Sequence, residues 1–419
     1  MGKAQKKGKT ARREREPVRK WFGMELPAIN PERRNILVAA SVGSKIFIGL
    51  VTAFVFNSFI DAYDLQIYFL AVRNVLMGVW PWANGVIFYY PPLALAPMLI
   101  AYAASAVAGG YGFVLTMWAL MAACDIVTTL CIYYIGLKLY NERTAFIAAM
   151  LCATAFSAAY YSLTRFDAFP TCLAALAMLA TVYNNRTKGY LGAVAGLFAK
   201  IWPALLYPFM WIYNARDSSI IAEGKERAIW ILLAAGLAFG GMLLVGYNKF
   251  LGYAEMVYCN TIPYLIFSYL QMAGAAIPFG VIANIFRALT VVAILGALYW
   301  MFRHPRSMTT MIKMSLVAII VLIFFSQYRS PQYVAWLSPF AALLVAGDAW
   351  GILAFFGVQT MEYIEFPLTF GTVWVNDHYV SGWAPGLFTA LFIAYGLLVW
   401  RAMKSEGAGA GSPERKKGG

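Results

Sequence analysis

Two carboxylates and a phenol stand at three-and-four spacing in the run Asp61-Ala62-Tyr63-Asp64-Leu65-Gln66-Ile67-Tyr68. If this run is helical, Asp61, Asp64 and Tyr68 share one face. A carboxylate at a water boundary beside aromatic rings suits general-base work, because partial desolvation moves its proton affinity toward neutral pH. The same residues can also simply end a helix at an interface. Farther along come Arg73, Gly78, Trp80-Pro81-Trp82 and Tyr89-Tyr90-Pro91-Pro92-Leu93. Such rings either line a substrate or form the aromatic belt of a membrane interface.

Three turns carry cations between apolar stretches: Arg165-Phe166-Asp167, Lys200-Ile201-Trp202-Pro203, and Ser326-Gln327-Tyr328-Arg329-Ser330-Pro331-Gln332-Tyr333. A charge near hydrocarbon needs a partner. A lipid phosphate is one, since Arg forks onto phosphate oxygens and Lys supplies a point charge. Snorkelling, or an internal pair such as Arg165 with Asp167, is the structural alternative. Inside apolar segments, Lys45 and Asp125 are too costly to face lipid and can pair with each other, or else relay protons. Tyr253, Tyr258, Tyr264 and Tyr269 mark a tyrosine-rich stretch that either stacks on a sugar or belongs to the belt.

The elements that must position these groups are membrane helices. Of 419 residues, 61% are hydrophobic and 12% charged, about half the charged share of a soluble domain. Long apolar stretches run over 36–60, 113–137, 145–163, 190–213, 228–245, 277–302, 311–325 and 387–399. Shorter ones cover 93–107, 169–182, 333–346 and a weak segment from Ile352. By length these give about 10 to 12 crossings. The expected fold is an all-α polytopic membrane protein with interfacial helices in its first outward loop, organised as a basic tail (1–34), one transmembrane domain (35–402, with the candidate catalytic loop at 61–90) and a Gly- and Lys-rich tail (403–419).

The net charge of +14 reports orientation and anionic lipid rather than nucleic acid. Nine Lys or Arg lie between Lys3 and Lys20, which places the N-terminus in the cytoplasm. Arg143, Arg186 with Lys188, Lys225 with Arg227, Arg303 with Arg306, and Arg401 with Lys404 mark the same side. The outward set is then 61–90, the turn near Arg165, 248–276, 326–332 and 361–383. Two full crossings between residues 91 and 138 would invert everything downstream, so one segment there must be re-entrant or interfacial. Residues 190–213 are expected as two short helices meeting at Pro203. No h-region follows the N-terminus, so an uncleaved anchor from Ile36 is expected.

The five cysteines show no CxxC spacing, and His304 and His378 are the only histidines, which excludes a His-rich metal centre and favours buried thiols. A Walker loop, GxGxxG after a strand, GxSxG and HExxH are all missing from the sequence. Cytosolic ATP is therefore not the expected energy source.

Taken in order, Asp-Leu-x-x-Tyr at Asp64, Tyr-Pro-Pro-Leu at Tyr90, Arg-x-Asp at Arg165, Lys-Ile-Trp-Pro at Lys200 and Ser-Pro-Gln-Tyr at Ser330 resemble the GT-C glycosyltransferases. The similarity is greatest to the polyprenol-phosphate-mannose-dependent α-mannosyltransferases related to the mycobacterial phosphatidylinositol mannoside enzyme, and more distant to the glycosylphosphatidylinositol mannosyltransferase. The resemblance implies a GT-C-like bundle with an extracytoplasmic active site and a polyprenyl-phosphate sugar as donor. It casts Asp64 as general base, with Asp61 as fallback. Lys200, Arg165 and Arg329 would hold the departing phosphate, and Tyr68, Trp82, Tyr90, Asp167 and Gln332 would contact substrate. No cofactor is expected, and a divalent cation is left open. The acceptor is a lipid or a glycan, and the membrane is the plasma membrane of a prokaryote or the endoplasmic reticulum of a eukaryote. A secondary transporter or lipid flippase is the rival reading; it predicts paired broken helices in two halves, and no such repeat is evident.

Overall fold

A computed structural model of the chain describes residues 18–21, 23–55, 62–80, 88–244 and 256–405. Asp61, Trp82 and Tyr253, with most of both tails, lie outside the described residues.

An antiparallel hairpin, β1 (Val18–Trp21) and β2 (Met24–Pro27), leads into α1 (Pro31–Leu50). The helix therefore starts inside the expected tail, capped by Asn30, whose side chain accepts from the Glu32 N–H. There follow α2 (Tyr63–Leu76), α3 (Leu95–Leu139), α4 (Glu142–Ala153), α5 (Phe156–Thr164), α6 (Ala168–Val182), α7 (Arg186–Ala199) and α8 (Leu206–Asn214). A short α9 (Ile220–Glu223) runs on into α10 (Ile229–Leu244). Next come α11 (Ile262–Met272), α12 (Phe279–Arg303), α13 (Met308–Phe325), α14 (Val334–Val345) and α15 (Ala349–Tyr363). A two-residue-strand hairpin, β3 (Trp374–Val375) with β4 (His378–Tyr379), precedes α16 (Ala384–Lys404).

The protein is an all-α membrane protein. Among the described residues six helices are long and apolar enough to cross a bilayer, or seven if α4 and α5, bent by 45°, count as one span. The sequence-based 10 to 12 also counted segments that fold as helices too short for that test, such as α6 and α14. All twelve residues of α14 are buried, as expected of a helix apolar all round at the centre of a bundle. Outer helices instead expose Phe47, Leu237, Val292 and Ile393, side chains suited to acyl chains.

Residues 91–138 fold back on themselves. Within α3 the backbone leaves helical geometry at Ala108 and Gly109 (φ 57°). A Cβ on Gly112 would fall 2.5 Å from the Ala104 carbonyl oxygen. Residues eight apart along a straight helix are about 12 Å apart, so the two arms pack against each other as a tight helical hairpin. At 190–213 the expected break is present: α7 ends at Ala199, and α8 begins after a 3-10 turn at Trp202–Leu205.

Glycine decides the packing of α6 on α7. A Cβ on Gly189 would fall 2.3 Å from Thr181 Oγ1, and one on Gly192 2.9 Å from the Ala177 Cβ. The helices approach along their length, so residues 167 and 200 meet at one end and 183 and 186 at the other. The basic loops gather at that second end, joined by Arg33 to Glu142 (2.8 Å), Arg401 to Asp348 (2.5 Å) and Lys313 to the Met403 carbonyl (2.8 Å).

Lys45 and Asp125 do pair, at 3.0 Å, with Ser162 donating to the same carboxylate. Breaking one side of a buried pair strands the other charge. Lys45→Met should therefore cost about 3 kcal/mol of stability, and adding Asp125→Leu should recover most of it. Thermal unfolding in detergent measures both; a Lys45→Met protein as stable as wild type would show that the pair holds nothing together.

Candidate active site

The site grows from the turn between α5 and α6. Arg165 leaves α5 in extended geometry (φ −137°, ψ 169°), so successive side chains diverge. Arg165 turns to α2, where its Nε lies 2.8 Å from Asp64 Oδ2. Asp167 turns the other way, to α7 and α14: its Oδ1 accepts from Lys200 Nζ and from Trp336 Nε1, each at 2.6 Å. Phe166 lies between them, fully buried, edge-on to Tyr68 (5.5 Å) and Tyr90 (4.7 Å). The Arg165–Asp167 pair offered as the structural alternative is thus replaced by two pairs that share the Phe166 ring.

Helix α2 is amphipathic, with Leu65, Tyr68, Ala71 and Val72 buried while Tyr63 and Leu76 are exposed. A helix thus stands in the loop where the sequence predicts one. Its first turn carries Asp64, and Tyr68, one turn on, donates its hydroxyl to Asp64 Oδ2 at 3.2 Å. Lys200 is 8% exposed and sits within 5.4 Å of the ring centres of Tyr90, Phe166, Tyr333 and Trp336. This cage replaces water around the ammonium with ring faces and one carboxylate.

A cavity of about 740 Å³, of mixed lining and the more polar of two beside this cluster, is lined by Asp64, Tyr68, Tyr90, Arg165, Tyr258, Tyr328, Ser330 and Gln332 among others. A second, largely apolar cavity of about 470 Å³ runs along Lys200, Trp202, Leu205, Leu322, Ile323 and Trp336. Tyr89, Tyr90, Tyr328 and Gln332 line both. Gln332 is 4% exposed, and its Oε1, like Asp167 Oδ2, is buried without a hydrogen-bond partner among the described residues.

Arg329 is corrected. It does not line either cavity and is 1% exposed. Its guanidinium bonds Glu365 through both oxygens (2.6 and 2.8 Å) and also bonds Glu362. Tyr395 donates to Glu362, and Asn260 to Glu365 at 2.6 Å. Two carboxylates already surround this cation, so it is a strut behind the wall rather than a phosphate ligand. The carboxylates escaped the sequence reading because 361–383 read as an outward loop; two Glu three residues apart beside an apolar helix were the available signal.

Trp336 also went unread, although it stands four residues after Gln332, one helical turn away. So did Trp374, Asn376 and Asp377, brought to the cavity mouth by the β3–β4 hairpin. His378 Nδ1 lies 2.9 Å from Asp377, and that hydrogen bond holds the Asp377 carboxyl below its ordinary pKa. Among the described residues no cluster of three His, Cys, Asp or Glu side chains is placed to hold a metal.

No family model and no curated protein matches the sequence. Among solved structures, the chain is similar to the oligosaccharyltransferase of Archaeoglobus fulgidus in the apo form, with a TM-score of 0.41, 12% identity, and coverage of 90% of this chain and 56% of that one. It is similar also to AglB from Archaeoglobus fulgidus in complex with an inhibitory peptide and a dolichol-phosphate, with a TM-score of 0.41, 11% identity and the same coverage. The chain spans 56% of the length of these proteins.

If Arg329 is a strut, Arg329→Gln should cost about 3 to 5 kcal/mol by leaving two buried carboxylates against each other. Trp336→Phe, which removes one of the two donors to Asp167, should cost about 1 to 3 kcal/mol. Thermal unfolding measures both, and an Arg329→Gln protein of wild-type stability would return this cation to the ligand-binding set.

Proposed function

We propose that the chain is a membrane glycosyltransferase of the GT-C type that transfers a hexose, with mannose the first candidate, from a polyprenyl-phosphate sugar to a lipid or glycan acceptor. The observation that carries this reading is the junction of the two cavities. A polyprenyl-phosphate sugar has a polar head, an anionic joint and an apolar tail. The more polar cavity beside Asp64 matches the head, and the apolar groove beyond Lys200 matches the tail. Arg165 and Lys200 border the two spaces on the side where the joint would lie.

In this reading Asp64 takes the proton of the acceptor hydroxyl. The acceptor oxygen then bonds the anomeric carbon from the face opposite the phosphate. As the carbon–oxygen bond to phosphate breaks, its electron pair leaves with the polyprenyl phosphate, and the configuration inverts. The negative charge developing on phosphate is met by Arg165 and Lys200, an electrostatic role worth most in a site that excludes water. Each cation already holds a carboxylate, but a guanidinium has five N–H donors and an ammonium three, so neither is used up. The unpartnered oxygen of Gln332, which lines both cavities, fits a donor from a sugar hydroxyl, whereas Asp167 lines neither cavity and serves to hold Lys200 and Trp336. The phosphate ester itself supplies the driving force, and no nucleotide is required.

The test is transfer of radiolabelled mannose from polyprenyl phosphate mannose into membrane lipids or glycans, with wild type and Asp64→Asn at matched expression. The variant should lose roughly a hundredfold or more of the rate while staying folded. Equal transfer by the variant would remove Asp64 from the base role. Wild-type protein that moves the lipid across vesicles without transferring the sugar would favour the flippase.

A further inference from the structure

At the end of α6 and α7 remote from Asp167 and Lys200 lies a third cavity, of about 560 Å³, lined by Gly23, Glu25, Lys138, Asn185, Arg186 and Arg227 among others. Its cations come from three separate elements: the last turn of α3 (Lys138), the first turn of α7 (Arg186) and the segment leading into α10 (Arg227). Both guanidinium groups lean on one buried carboxylate oxygen, Glu223 Oε2, at 2.7 Å from Arg186 and 3.4 Å from Arg227. Tyr190 holds the other oxygen of Glu223 at 3.1 Å.

Lys188 stands near the β1–β2 turn. At the β1–β2 turn Gly23 has φ +70°, and a Cβ there would fall 2.8 Å from Lys188 Nζ. Two further carboxylates are outside the cavity: Asp217, 3.2 Å from Arg186, and Glu226, 2.7 Å from Arg227, are 64% and 62% exposed; Glu25 lines it and is exposed as well. Water screens such pairs heavily. Lys138 rests 4.8 Å over the Tyr183 ring. The cavity therefore presents three cations, Lys138, Arg186 and Arg227, against the buried Glu223 and the exposed Glu25. The arginines are oriented by Glu223 rather than free to swing, which is the arrangement that recognises phosphate through forked hydrogen bonds.

The cavity sits where the basic loops gather, beneath a hairpin whose Trp21 packs against the bundle and whose strand continues the basic N-terminal run. A membrane leaflet rich in anionic lipid attracts such a run. We propose that this cavity binds the phosphate headgroup of an anionic phospholipid in that leaflet, separately from any substrate site at the other end of the bundle.

The experiment is native mass spectrometry and thermal unfolding of the purified full-length protein in detergent, titrated with phosphatidylglycerol, phosphatidylcholine or soluble glycerol 3-phosphate. Phosphatidylglycerol should bind in preference to phosphatidylcholine and raise the unfolding temperature. Lys138→Glu with Arg227→Ala should weaken that binding at least roughly tenfold, the loss of one or two charge-assisted hydrogen bonds. Arg186 is left in place so that Glu223 keeps its partner, and Lys138→Glu alone, at an exposed position, should give a smaller loss in the same direction. Arg303→Glu with Lys404→Glu, cations at the same end but outside the cavity, should leave binding unchanged. Equal binding of both lipids, or an equal loss in this control pair, would overturn the site in favour of general attraction to the basic surface. A full stabilising shift from glycerol 3-phosphate would overturn the lipid assignment.

Discussion

A carboxylate held among aromatic rings in a low dielectric needs donors to replace the water it has lost. Asp167, 1% exposed, has two donors, and they come from different helices: Lys200 after α7 and Trp336 in α14. The bond to Trp336 fixes the centre of the bundle, because α14 is buried on every side. The bond to Lys200 fixes the end of α7, which the glycine contacts with α6 have already brought into line. With Asp167 so placed, Phe166 is forced between Tyr68 and Tyr90, and Arg165 emerges toward α2. The position of Asp64 against its cation therefore depends on a pair buried several residues away.

Much of this was legible in the amino-acid order, and the part that was not has a common cause. The spacing of Asp64 and Tyr68 announced a shared helical face because that relation is local. Lys45 and Asp125 announced each other because two opposite charges inside apolar segments have few other partners. The break near Pro203 followed from the missing backbone donor of proline. What could not be read was which partner each remaining charge would take. Arg165, Lys200 and Arg329 look alike as cations in turns between apolar stretches, yet one meets a cavity-lining carboxylate, one a buried Asp and one a pair of Glu. That choice is made by packing between helices far apart in sequence, and one chain carries no local trace of it. The fold-back at Ala108–Gly109 was legible only as a contradiction in the charge bias of the loops; the small residues Ala104 and Gly112 that permit it are common in membrane helices.

The strut behind the cavity follows the same electrostatic rule with the opposite sign. Arg329 brings one positive charge to two carboxylates, and Tyr395 and Asn260 supply further donors. Its sequence neighbours Tyr328 and Ser330 face the cavity, as do Phe366, next to Glu365, and Tyr258, two residues before Asn260. The cluster thus pins three strands of wall at once, from the α13–α14 turn, the segment after α15 and the approach to α11. A site that takes a charged headgroup, as proposed, would gain from a wall whose own charges are already satisfied, since its cations and carboxylates would not compete for the ligand.

Helix length sets the depth at which such a ligand would be met. Helices α6 and α7 have 15 and 14 residues and rise about 21 to 23 Å, less than the roughly 30 Å of hydrocarbon in a bilayer. Were their basic ends at one membrane surface, Asp167 and Lys200 would lie short of the other, inside its leaflet. A soluble substrate would have to descend through the more polar cavity to reach them. The headgroup of a membrane lipid would need to travel a much shorter distance, with its chain entering the apolar groove directly from the acyl layer. Such a recess would also exclude much of the water that screens Arg165 and Lys200, so the same two cations would exert more force on a phosphate there than at the surface. Short helices and buried ion pairs are thus linked: such a recess would strengthen electrostatic interactions, and every charge inside it must be partnered by protein or by ligand.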